Sequence, residues 1–535
     1  MKILPLSFIC LFISILSCAN NRSEVYEAII QYPDSVSHAN TKVPPYTDYF
    51  LYGSNMGWKN HNWDDADVAS ILLGNKSKGW EGIGVNSLRP ALYYNYVETW
   101  GYDVRVNTFK WYCENGAKNN VAFIGDGPTD QHRERKHYIP GVASESFENL
   151  YEPIWDNGEN GTPVNDKNYY ALYVYKVAQR YKDYVKFWEI KNEPDFTYTP
   201  ACGYNPPGKG CNWWDSDPSP KVLDNWRAPI QSYIRMLRIS YEVIKSVDPD
   251  AYICVGGIGY ASFLDAILRN TDNPDDGKVT DQYPHKGGAW FDCLSFHIYP
   301  MYFLRSWHLF GFKHFRHSDA AVEAVENQTD AYTELLEKYG YGRGYPLKEM
   351  IITETNIPNK QVGEFIGSEI AQRNYLVKLA VVAQKKRISG VYPFSPWDAK
   401  EQYENGAEYD YKGFYHPLPE LPRGALRMHE SGVAWRTTSK LLSERRYDEN
   451  ETKRLNLPSE IDGGAFHSAI SNDYIYVLWA KTTKDMSEEA SASYTFPEAL
   501  KVKEMTVISW DEKETGISGN AIELTSSPIY IKTKK

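Results

Sequence analysis

Between residues 46 and 446, short apolar runs alternate with longer amphipathic stretches. Eight of these runs have the length and apolar continuity of buried β-strands: 49–52, 84–88, 121–125, 185–190, 252–256, 293–297, 350–353 and 390–394. Strands that alternate with helical stretches favour a parallel sheet whose strands are connected by helices. Eight such units predict an α/β fold, a (β/α)8 TIM barrel with long loops.

The stretches between the runs carry the helical pattern. Ile230, Ile234, Leu237 and Ile244 recur three or four positions apart, or at the sum of these steps, as on one face of a helix. The same reasoning predicts helices over 169–184, 226–247, 320–339, 365–386 and 427–444.

The pattern changes after residue 446, where we place the end of the barrel domain, 46–446. Short segments of alternating polarity follow, separated by turn residues: 469–470, 474–479, 490–496, 504–509 and 529–531. Alternation with a period of two is typical of strands that bury one face. Residues 447–535 therefore predict a small antiparallel β-sandwich domain.

The start of the chain predicts export. A charged beginning precedes an apolar run over 3–16 that is too short to span a bilayer, as in a secretory signal. The residues 15–18 that close this segment resemble the bacterial lipobox, in which the cysteine, here Cys18, is lipidated. The alternative is that Cys18 is incidental in a plain cleaved signal. We predict a signal peptide over 1–17, a tether over 18–45, and an exported protein anchored through the lipid on Cys18 to a bacterial envelope membrane, on its periplasmic or cell-surface side.

Composition narrows the range of partners. The chain has 58 Lys and Arg against 69 Asp and Glu, a net charge of −11, which argues against binding to a nucleic-acid backbone. Aromatic residues make up 15% of the chain. Aromatic rings pack protein cores and also stack on sugar rings, so composition alone leaves both uses open. We expect a monomer without a cofactor.

The cysteines suggest one disulfide. Cys202 and Cys211 bracket a loop rich in proline and glycine, and we predict that they pair, since exported chains form disulfides. Cys254 and Cys293 lie in apolar strand-like runs and are predicted to be buried thiols. The chain has no CxxC pair, which argues against a structural zinc site, and we predict no metal site.

Two carboxylates follow directly on predicted strands. The fourth strand leads into the motif NEP, which contains Glu193, and the seventh ends in TE, which contains Glu354. Barrel enzymes place their reacting groups at the C-terminal ends of strands, so we expect these two side chains to face each other across the barrel axis. A single glutamate at a strand end is more often solvated or paired with a cation, and the hypothesis therefore depends on both motifs together.

The order of these motifs resembles clan A of the glycoside hydrolases. The letters WEIKNEP that end at Pro194, the HIY of 297–299, the TE of 353–354 and the late Trp397 each follow an apolar run. The resemblance implies a retaining hydrolase on a (β/α)8 barrel with its two glutamates on strands four and seven. A β-rich C-terminal domain is found in family thirty-nine and in some family-five-like enzymes of that clan. The long segment 300–348 departs from compact members and leaves the family and its specificity open.

Retention requires two carboxyl groups about 5–5.5 Å apart, one as nucleophile and one as acid and base. The resemblance implies that Glu354 is the nucleophile and Glu193 the acid/base. Arg89, at the end of the second strand, and Tyr299, after the sixth, are expected to hydrogen-bond Glu354.

Three more residues are predicted to bind substrate. We expect Asn192 to donate to the 2-hydroxyl of the reacting sugar, Trp397 to form a floor beneath that sugar, and His297 to orient the nucleophile region or a sugar hydroxyl. The sequence thus predicts a retaining β-glycoside hydrolase that cleaves β-linked polysaccharide or oligosaccharide, with internal cleavage favoured. An exo-acting β-glycosidase on oligosaccharides and a non-catalytic glycan-binding lipoprotein are the alternatives.

Overall fold

The computed structural model describes residues 42–57, 62–156, 158–309, 311–423 and 425–534. The predicted signal peptide, most of the predicted tether and Cys18 lie outside these residues, so lipid anchoring stays a prediction. Within the described residues, none of the helices has both the length and the apolar character that a membrane span requires.

The first eleven strands belong to a large parallel sheet and a separate hairpin. In chain order they are β1 (Leu51–Asn55), β2 (Ser87–Arg89), β3 (Ala91–Leu92), β4 (Asn120–Ile124), β5 (Val185–Ile190), β6 (Tyr252–Ile258), β7 (Cys293–Ile298), β8 (Arg305–His308), β9 (Gly311–His314), β10 (Glu349–Thr355) and β11 (Gly390–Pro393). The hairpin consists of β8 and β9, and the other nine strands form the sheet in the order β2-β1-β11-β10-β7-β6-β5-β4-β3.

The sheet closes into a barrel of eight strand positions. Strands β2 and β3 are two halves of one strand separated by Pro90, which has no N–H to donate to a ladder. β2 pairs with β1 and β3 pairs with β4, and the Phe123 N–H donates to the Pro90 carbonyl at 3.3 Å across the join. The predicted (β/α)8 barrel is therefore confirmed.

Helices surround the barrel and connect its strands. They are α1 (Asp65–Leu73), α2 (Tyr94–Trp100), α3 (Val106–Glu114), α4 (Tyr169–Tyr181), α5 (Ala201–Tyr204), α6 (Ile230–Val247), α7 (Ala261–Arg269), α8 (Ser318–Lys338), α9 (Glu369–Lys385), α10 (Glu430–Leu442) and α11 (Glu449–Arg454). Short 3₁₀ helices occur at Lys76–Lys78, Gly287–Trp290, Pro300–Phe303, Glu408–Tyr411 and Glu498–Leu500.

The lower half of the barrel interior is an apolar layer. Alternate residues of seven strands point inward and pack together: Leu51, Val121, Phe187, Tyr252, Cys254, Cys293, Ile351 and Tyr392. The segment before β1 covers this layer from below, where the Tyr252 hydroxyl donates to the Pro44 carbonyl at 2.6 Å. Because this end is filled, the barrel opens only toward the C-terminal ends of its strands.

The C-terminal part forms two antiparallel sheets. Its strands are β12 (Arg446–Tyr447), β13 (Ile461–His467), β14 (Tyr474–Ala480), β15 (Ser491–Thr495), β16 (Glu504–Ile508), β17 (Glu514–Ser518), β18 (Ala521–Thr525) and β19 (Ile529–Lys534). Six strands pair in the order β12-β13-β14-β19-β16-β17, and β15 pairs with β18. Side chains from both sheets, such as Tyr476 and Leu524, share one apolar core, as expected for the predicted sandwich.

Two predicted strands differ from the strands in the structure. The second barrel strand begins at Ser87 rather than at residue 84, because Gly84 adopts a φ of +73°, outside the extended region. Residues 469–470, predicted as a strand, form a turn in which the Asn472 N–H donates to the Ser468 carbonyl at 2.9 Å. The strand of that region is β13, which the sequence pattern did not indicate.

The five cysteines among the described residues fall into three groups. Cys202, on α5, and Cys211 form a disulfide in the long loop that follows β5. Cys254 and Cys293 are buried free thiols in the apolar layer of the barrel, and Cys113 is a half-buried thiol on α3.

Candidate active site

A cavity of about 2480 Å³ opens at the C-terminal ends of the barrel strands. Five of the sequence-predicted residues line it: Asn192, Glu193, Tyr299, Glu354 and Trp397. Two more, Arg89 and His297, lie buried and contact those residues, as described below. The predicted substrate-binding and carboxylate residues are therefore brought together at one end of the barrel.

A β-bulge in β10 turns two consecutive side chains into the barrel. Ile352 pairs with Phe296 but Glu354, not Thr353, pairs with His297, so the register shifts by one residue. Strand alternation alone would point Thr353 and Glu354 to opposite faces. The bulge lets Thr353 reach the interior network while Glu354 enters the cavity.

A glycine in β6 makes room for the polar interior. A Cβ on Gly257 would lie 2.3 Å from His297 Nε2 and 2.7 Å from Glu189 Oε1. Gly257 also has a φ of +56°, which favours glycine. The close approach of this backbone therefore requires glycine and keeps the glutamate and the histidine in place.

The turn after β5 holds Glu193 in a strained backbone. Lys191 and Glu193 have φ values of +66° and +46°, which are costly for residues with a Cβ. Asp126 compensates, because its carboxylate accepts from Lys191 Nζ at 2.6 Å and from the Asn192 N–H at 2.9 Å. The Glu193 N–H donates to the Gly256 carbonyl at 2.9 Å. These bonds fix the direction in which Glu193 leaves the strand.

Arg89 is the cation at the centre of the site. It is 2% exposed, and its guanidinium pairs with Glu189 at 2.7 and 3.1 Å. The same group donates to Glu354 Oε1 at 2.7 Å, Asn55 Oδ1 at 2.9 Å and Asn192 Oδ1 at 2.6 Å. One planar group thus fixes two carboxylates and two amides at once.

Glu354 is held as a carboxylate. Its Oε2 accepts from the Tyr299 hydroxyl at 2.7 Å, and its Oε1 accepts from Arg89. Burial raises the pKa of Glu354, but the positive charges of His297 and Arg89 and the hydroxyl of Tyr299 outweigh burial, so the pKa lies below its ordinary value. The group is therefore ionised at neutral pH.

His297 connects the two cavity glutamates. Its Nδ1 lies 2.7 Å from Glu193 Oε1 and 3.8 Å from Glu354 Oε2, and its Nε2 lies 3.1 Å from Thr353 Oγ1. Burial lowers the pKa of His297, but Glu354 and Glu193 together raise it above its ordinary value. Carboxylate oxygens of the two glutamates and the imidazole nitrogen all lie within 4.8 Å of one another.

The same three residues have the spacing of metal ligands, yet their hydrogen bonds favour another use. Both oxygens of Glu354 already accept from strong donors, one of them the cation Arg89. A divalent cation at this position would face that fixed positive charge. The arrangement suits a pair of carboxylates engaged in acid, base and nucleophile chemistry.

The sequence analysis missed Lys412. This buried amine lies over the rings of Tyr299 and Tyr409, 3.7 and 3.2 Å from their centroids, and has no hydrogen-bond acceptor among the described residues. Burial lowers the pKa of Lys412 well below its ordinary value, against the attraction of nearby glutamates that include Glu354. No motif marks this lysine, because it follows a polar loop rather than a strand.

Glu189 and the loop tryptophans complete the surroundings of the site. Glu189, four residues before Glu193, is fully buried and pairs with Arg89. Trp213 and Trp214 are 1% and 0% exposed and pack in the loop after α5. Trp307 is 54% exposed, on the β8–β9 hairpin.

Comparisons with known proteins support the fold. No protein-family model matches the sequence, and no curated protein matches it. The GH51 α-L-arabinofuranosidase from Thermotoga petrophila RKU-1 is similar in structure over 94% of this chain and 99% of its own, with a TM-score of 0.50 and 12% identity. A glucosidase from Croceicoccus marinus (TM-score 0.48, 12% identity, 94% and 99% covered) and the endo-β1,6-glucanase BT3312 (0.46, 14%, 94% and 94%) are also similar.

We predict that Arg89→Met destabilises the protein strongly, because it leaves Glu189 buried without a cation. Removing one partner of a buried ion pair costs about 3–5 kcal/mol, which urea denaturation measures as a lower midpoint. Arg180→Met removes an exposed pair with Asp103 and serves as the control, with an expected change below about 1 kcal/mol. Equal midpoints for the two variants would contradict the central role of Arg89.

Proposed function

We propose that this protein is a retaining glycoside hydrolase that cleaves β-linked glycans. The observation that carries the proposal is the pair Glu193 and Glu354, whose carboxylate oxygens lie within 4.8 Å of each other at the open end of the barrel. Retaining glycosidases hold their two carboxyl groups about 5–5.5 Å apart, whereas inverting enzymes need about 6.5–9.5 Å to admit a water. An approach of one oxygen from each carboxylate to within 4.8 Å is compatible with the shorter of these separations, and it supports direct attack by one carboxylate.

In this mechanism Glu354 is the nucleophile. Its lowered pKa and its fixed hydrogen bonds keep it ionised and aimed at the anomeric carbon. Its oxygen forms a bond to that carbon as the glycosidic C–O bond breaks, and Glu193 gives its proton to the departing oxygen. The product of this step is a glycosyl ester on Glu354 and a free sugar hydroxyl.

The second step reverses these roles. Esterification removes the negative charge of Glu354, so the deprotonated Glu193 is stable beside it and can accept a proton from water. The hydroxide equivalent attacks the anomeric carbon, the ester bond breaks, and Glu354 leaves as a carboxylate. Two displacements return the sugar with its original configuration. His297, 2.7 Å from Glu193, is placed to stabilise Glu193 as a carboxylate in this step.

The remaining site residues bind the reacting sugar. Arg89 donates to Asn192 Oδ1 and so fixes the side-chain amide. The amide Nδ2 then remains to donate to the sugar 2-hydroxyl. Trp397 lines the same cavity and offers an apolar face to the ring. The intact set of charges and hydrogen bonds around Glu354 favours catalysis over the alternative of a glycan-binding protein that has lost its activity.

We further propose that cleavage is internal. Besides the two glutamates, the cavity is lined by Trp307 and Phe312 of the β8–β9 hairpin and by Trp479 and Lys481 of the C-terminal domain. The two hairpin aromatics are 54% and 52% exposed, so their faces are available to sugar rings. A cavity of about 2480 Å³ with this lining has room for several residues of a polymer, whereas an exo-acting enzyme requires only a closed pocket for the terminal sugars.

Export and anchoring complete the proposal. We propose that the mature chain is a monomer attached to the bacterial envelope by a lipid on Cys18, with 18–45 as a tether that lets the barrel reach external glycan. Mass spectrometry of the N-terminal peptide from native membranes tests the modification.

The net charge of −11 is unfavourable for binding to nucleic acid, and a glycan is the partner that the cavity suits.

We predict that Glu193→Gln and Glu354→Gln each lower kcat/KM at least roughly a thousandfold on a responsive β-glycan, because each removes a group that acts on the reacting atoms. Screening the mature protein against purified β-glycans, with reducing-sugar release as the assay, identifies the substrate. Glu323→Gln, on the exposed wall of the same cavity, is the matched control and should retain activity. Full activity in either of the first two variants would remove the assignment.

Azide separates the two roles. Glu354→Gly with azide should yield an α-glycosyl azide from a β-linked substrate, because azide attacks from the face that the nucleophile has left. Glu193→Gly should yield a β-glycosyl azide, since the glycosyl ester still forms with an activated leaving group. The opposite pattern would exchange the assignments.

Tyr299→Phe should move the acid limb of the pH profile. The lost hydrogen bond lowers the pKa of Glu354 in the wild type, so its removal raises that pKa, and activity disappears at a higher pH as acid is added. A hydrogen bond to a charged group contributes about 1.5–3 kcal/mol, which corresponds to roughly a 10- to 150-fold loss of kcat/KM. Tyr302→Phe is the control. The hydroxyl that it removes donates to Glu408 and not to Glu354, so the acid limb should not move.

The double variant Trp307→Ala with Phe312→Ala tests internal cleavage. Stacking on each ring is worth about 0.5–1.5 kcal/mol, so we expect KM for polymer to rise roughly tenfold with little change on a short aryl glycoside. Trp100→Ala, an exposed tryptophan on α2, is the control. Early release of a single small sugar by the wild type, with no effect of the double variant, would favour the exo-acting alternative.

A further inference from the structure

A second cluster of ligand-type side chains lies beside the cavity, on the loops after β10 and β11. Glu369 begins α9, His429 immediately precedes α10, and His416 lies on the loop between β11 and α10. One carboxylate oxygen and one nitrogen from each histidine lie within 4.8 Å of one another. None of the three contributes to the mechanism proposed above.

A buried carboxylate fixes the state of His429. Asp398 is 1% exposed and accepts from the Gly413 N–H at 2.6 Å and from Asn359 Nδ2 at 3.0 Å, so two donors hold its carboxyl group in place. His429 Nε2 lies 2.9 Å from the same carboxylate and must therefore carry the hydrogen. On the other side Nδ1 is hydrogen-bonded to Glu369, and although burial lowers the pKa of His429, the two carboxylates raise it to about 9. A metal ion at Nδ1 would therefore take the place of the hydrogen between His429 and Glu369. In many metal sites a carboxylate that accepts from the other ring nitrogen orients the metal-binding histidine in the same way.

His416, the third member of the cluster, has a nitrogen without a hydrogen-bond partner among the described residues. Its ring lies on that of His429, with centroids 3.8 Å apart, and its Nδ1 is buried without a hydrogen-bond partner among the described residues. A buried polar atom without a partner costs about 1–3 kcal/mol. A proton shared between His429 and Glu369 leaves that cost in place, whereas a cation bound by all three side chains can remove it.

We propose that Glu369, His416 and His429 bind a divalent transition-metal ion, with zinc as the best match. Two imidazoles and one carboxylate suit zinc, which takes four ligands in tetrahedral geometry with water in the remaining position. Glu369 and His416 are only partly buried, which gives the ion and its water access. Bonds of about 2.0–2.2 Å place the donor atoms roughly 3.3 Å apart, so the Glu369 carboxylate, which is bonded to His429 Nδ1, has to move away from it to admit the ion. Glu369 is half-buried, and rotation of its side chain supplies that movement.

The site would hold one wall of the cavity in position. Asp398 directly follows Trp397, and its bond to the Gly413 N–H lies next to Lys412. A metal between α9, α10 and this loop therefore ties together the segment that carries the sugar floor and the buried lysine. Its role is positional, since Glu193 and Glu354 belong to a separate cluster.

The test uses the mature protein without a histidine tag, stripped with EDTA and dialysed. We expect isothermal titration with ZnCl2 to show one site per chain, and the melting temperature to be higher with zinc than with EDTA. Glu369→Gln and His416→Ala should each weaken binding at least tenfold, while His467→Ala, a half-exposed histidine on β13, should bind as the wild type does.

Cobalt gives a second measurement that needs no variant. Co²⁺ bound to the wild type should show the intense visible absorption of a four-coordinate site, and zinc should displace it. No stoichiometric uptake of zinc, or equal uptake by the wild type and His416→Ala, would overturn the proposal and leave a histidine clamped by two carboxylates. Neither measurement depends on hydrolysis, so failure here and failure of the proposed function are distinguishable.

Discussion

The site depends on one buried guanidinium. Glu189 and Glu354 lie on different strands in a low-dielectric interior, and two carboxylates there are stable as ions only beside a fixed positive charge. Arg89 supplies that charge and satisfies both carboxylates with bidentate or linear hydrogen bonds. Because two hydrogen bonds hold Arg89 against the buried Glu189, the guanidinium stays in place. Its bond to Glu354 therefore fixes the position of that carboxylate in the cavity.

The barrel divides along its axis into an apolar and a polar half, and strand periodicity produces the division. Phe187 is followed two residues later by Glu189, and Cys293 by Ser295 and then His297, all on the inward face. The apolar half closes the barrel to water and makes the interior above it costly for unpaired charge. Glu189, Glu354 and His297 in the upper half are consequently paired, which fixes their geometry before any substrate binds.

The features that the sequence predicted are those carried by local pattern. Continuous apolar runs marked the parallel strands, and Glu193 and Glu354 were found because each directly follows such a run. Features that arise from departures from regular geometry were not predictable. The bulge that brings Thr353 and Glu354 into the same interior has no residue signature, and Lys412 reaches Tyr299 from a polar loop only through the tertiary fold.

The contrast between the two polar clusters decides how the second one is interpreted. Around Arg89, every carboxylate is matched by a donor, and the cluster is electrostatically complete as it stands. Around His429, Asp398 also accepts from several donors, yet the neighbouring His416 has a buried nitrogen that no described residue bonds. Most buried polar atoms in natural proteins have a hydrogen-bond partner. A cation shared by Glu369, His416 and His429 completes the second cluster as Arg89 completes the first, and it does so at the loop that carries Trp397.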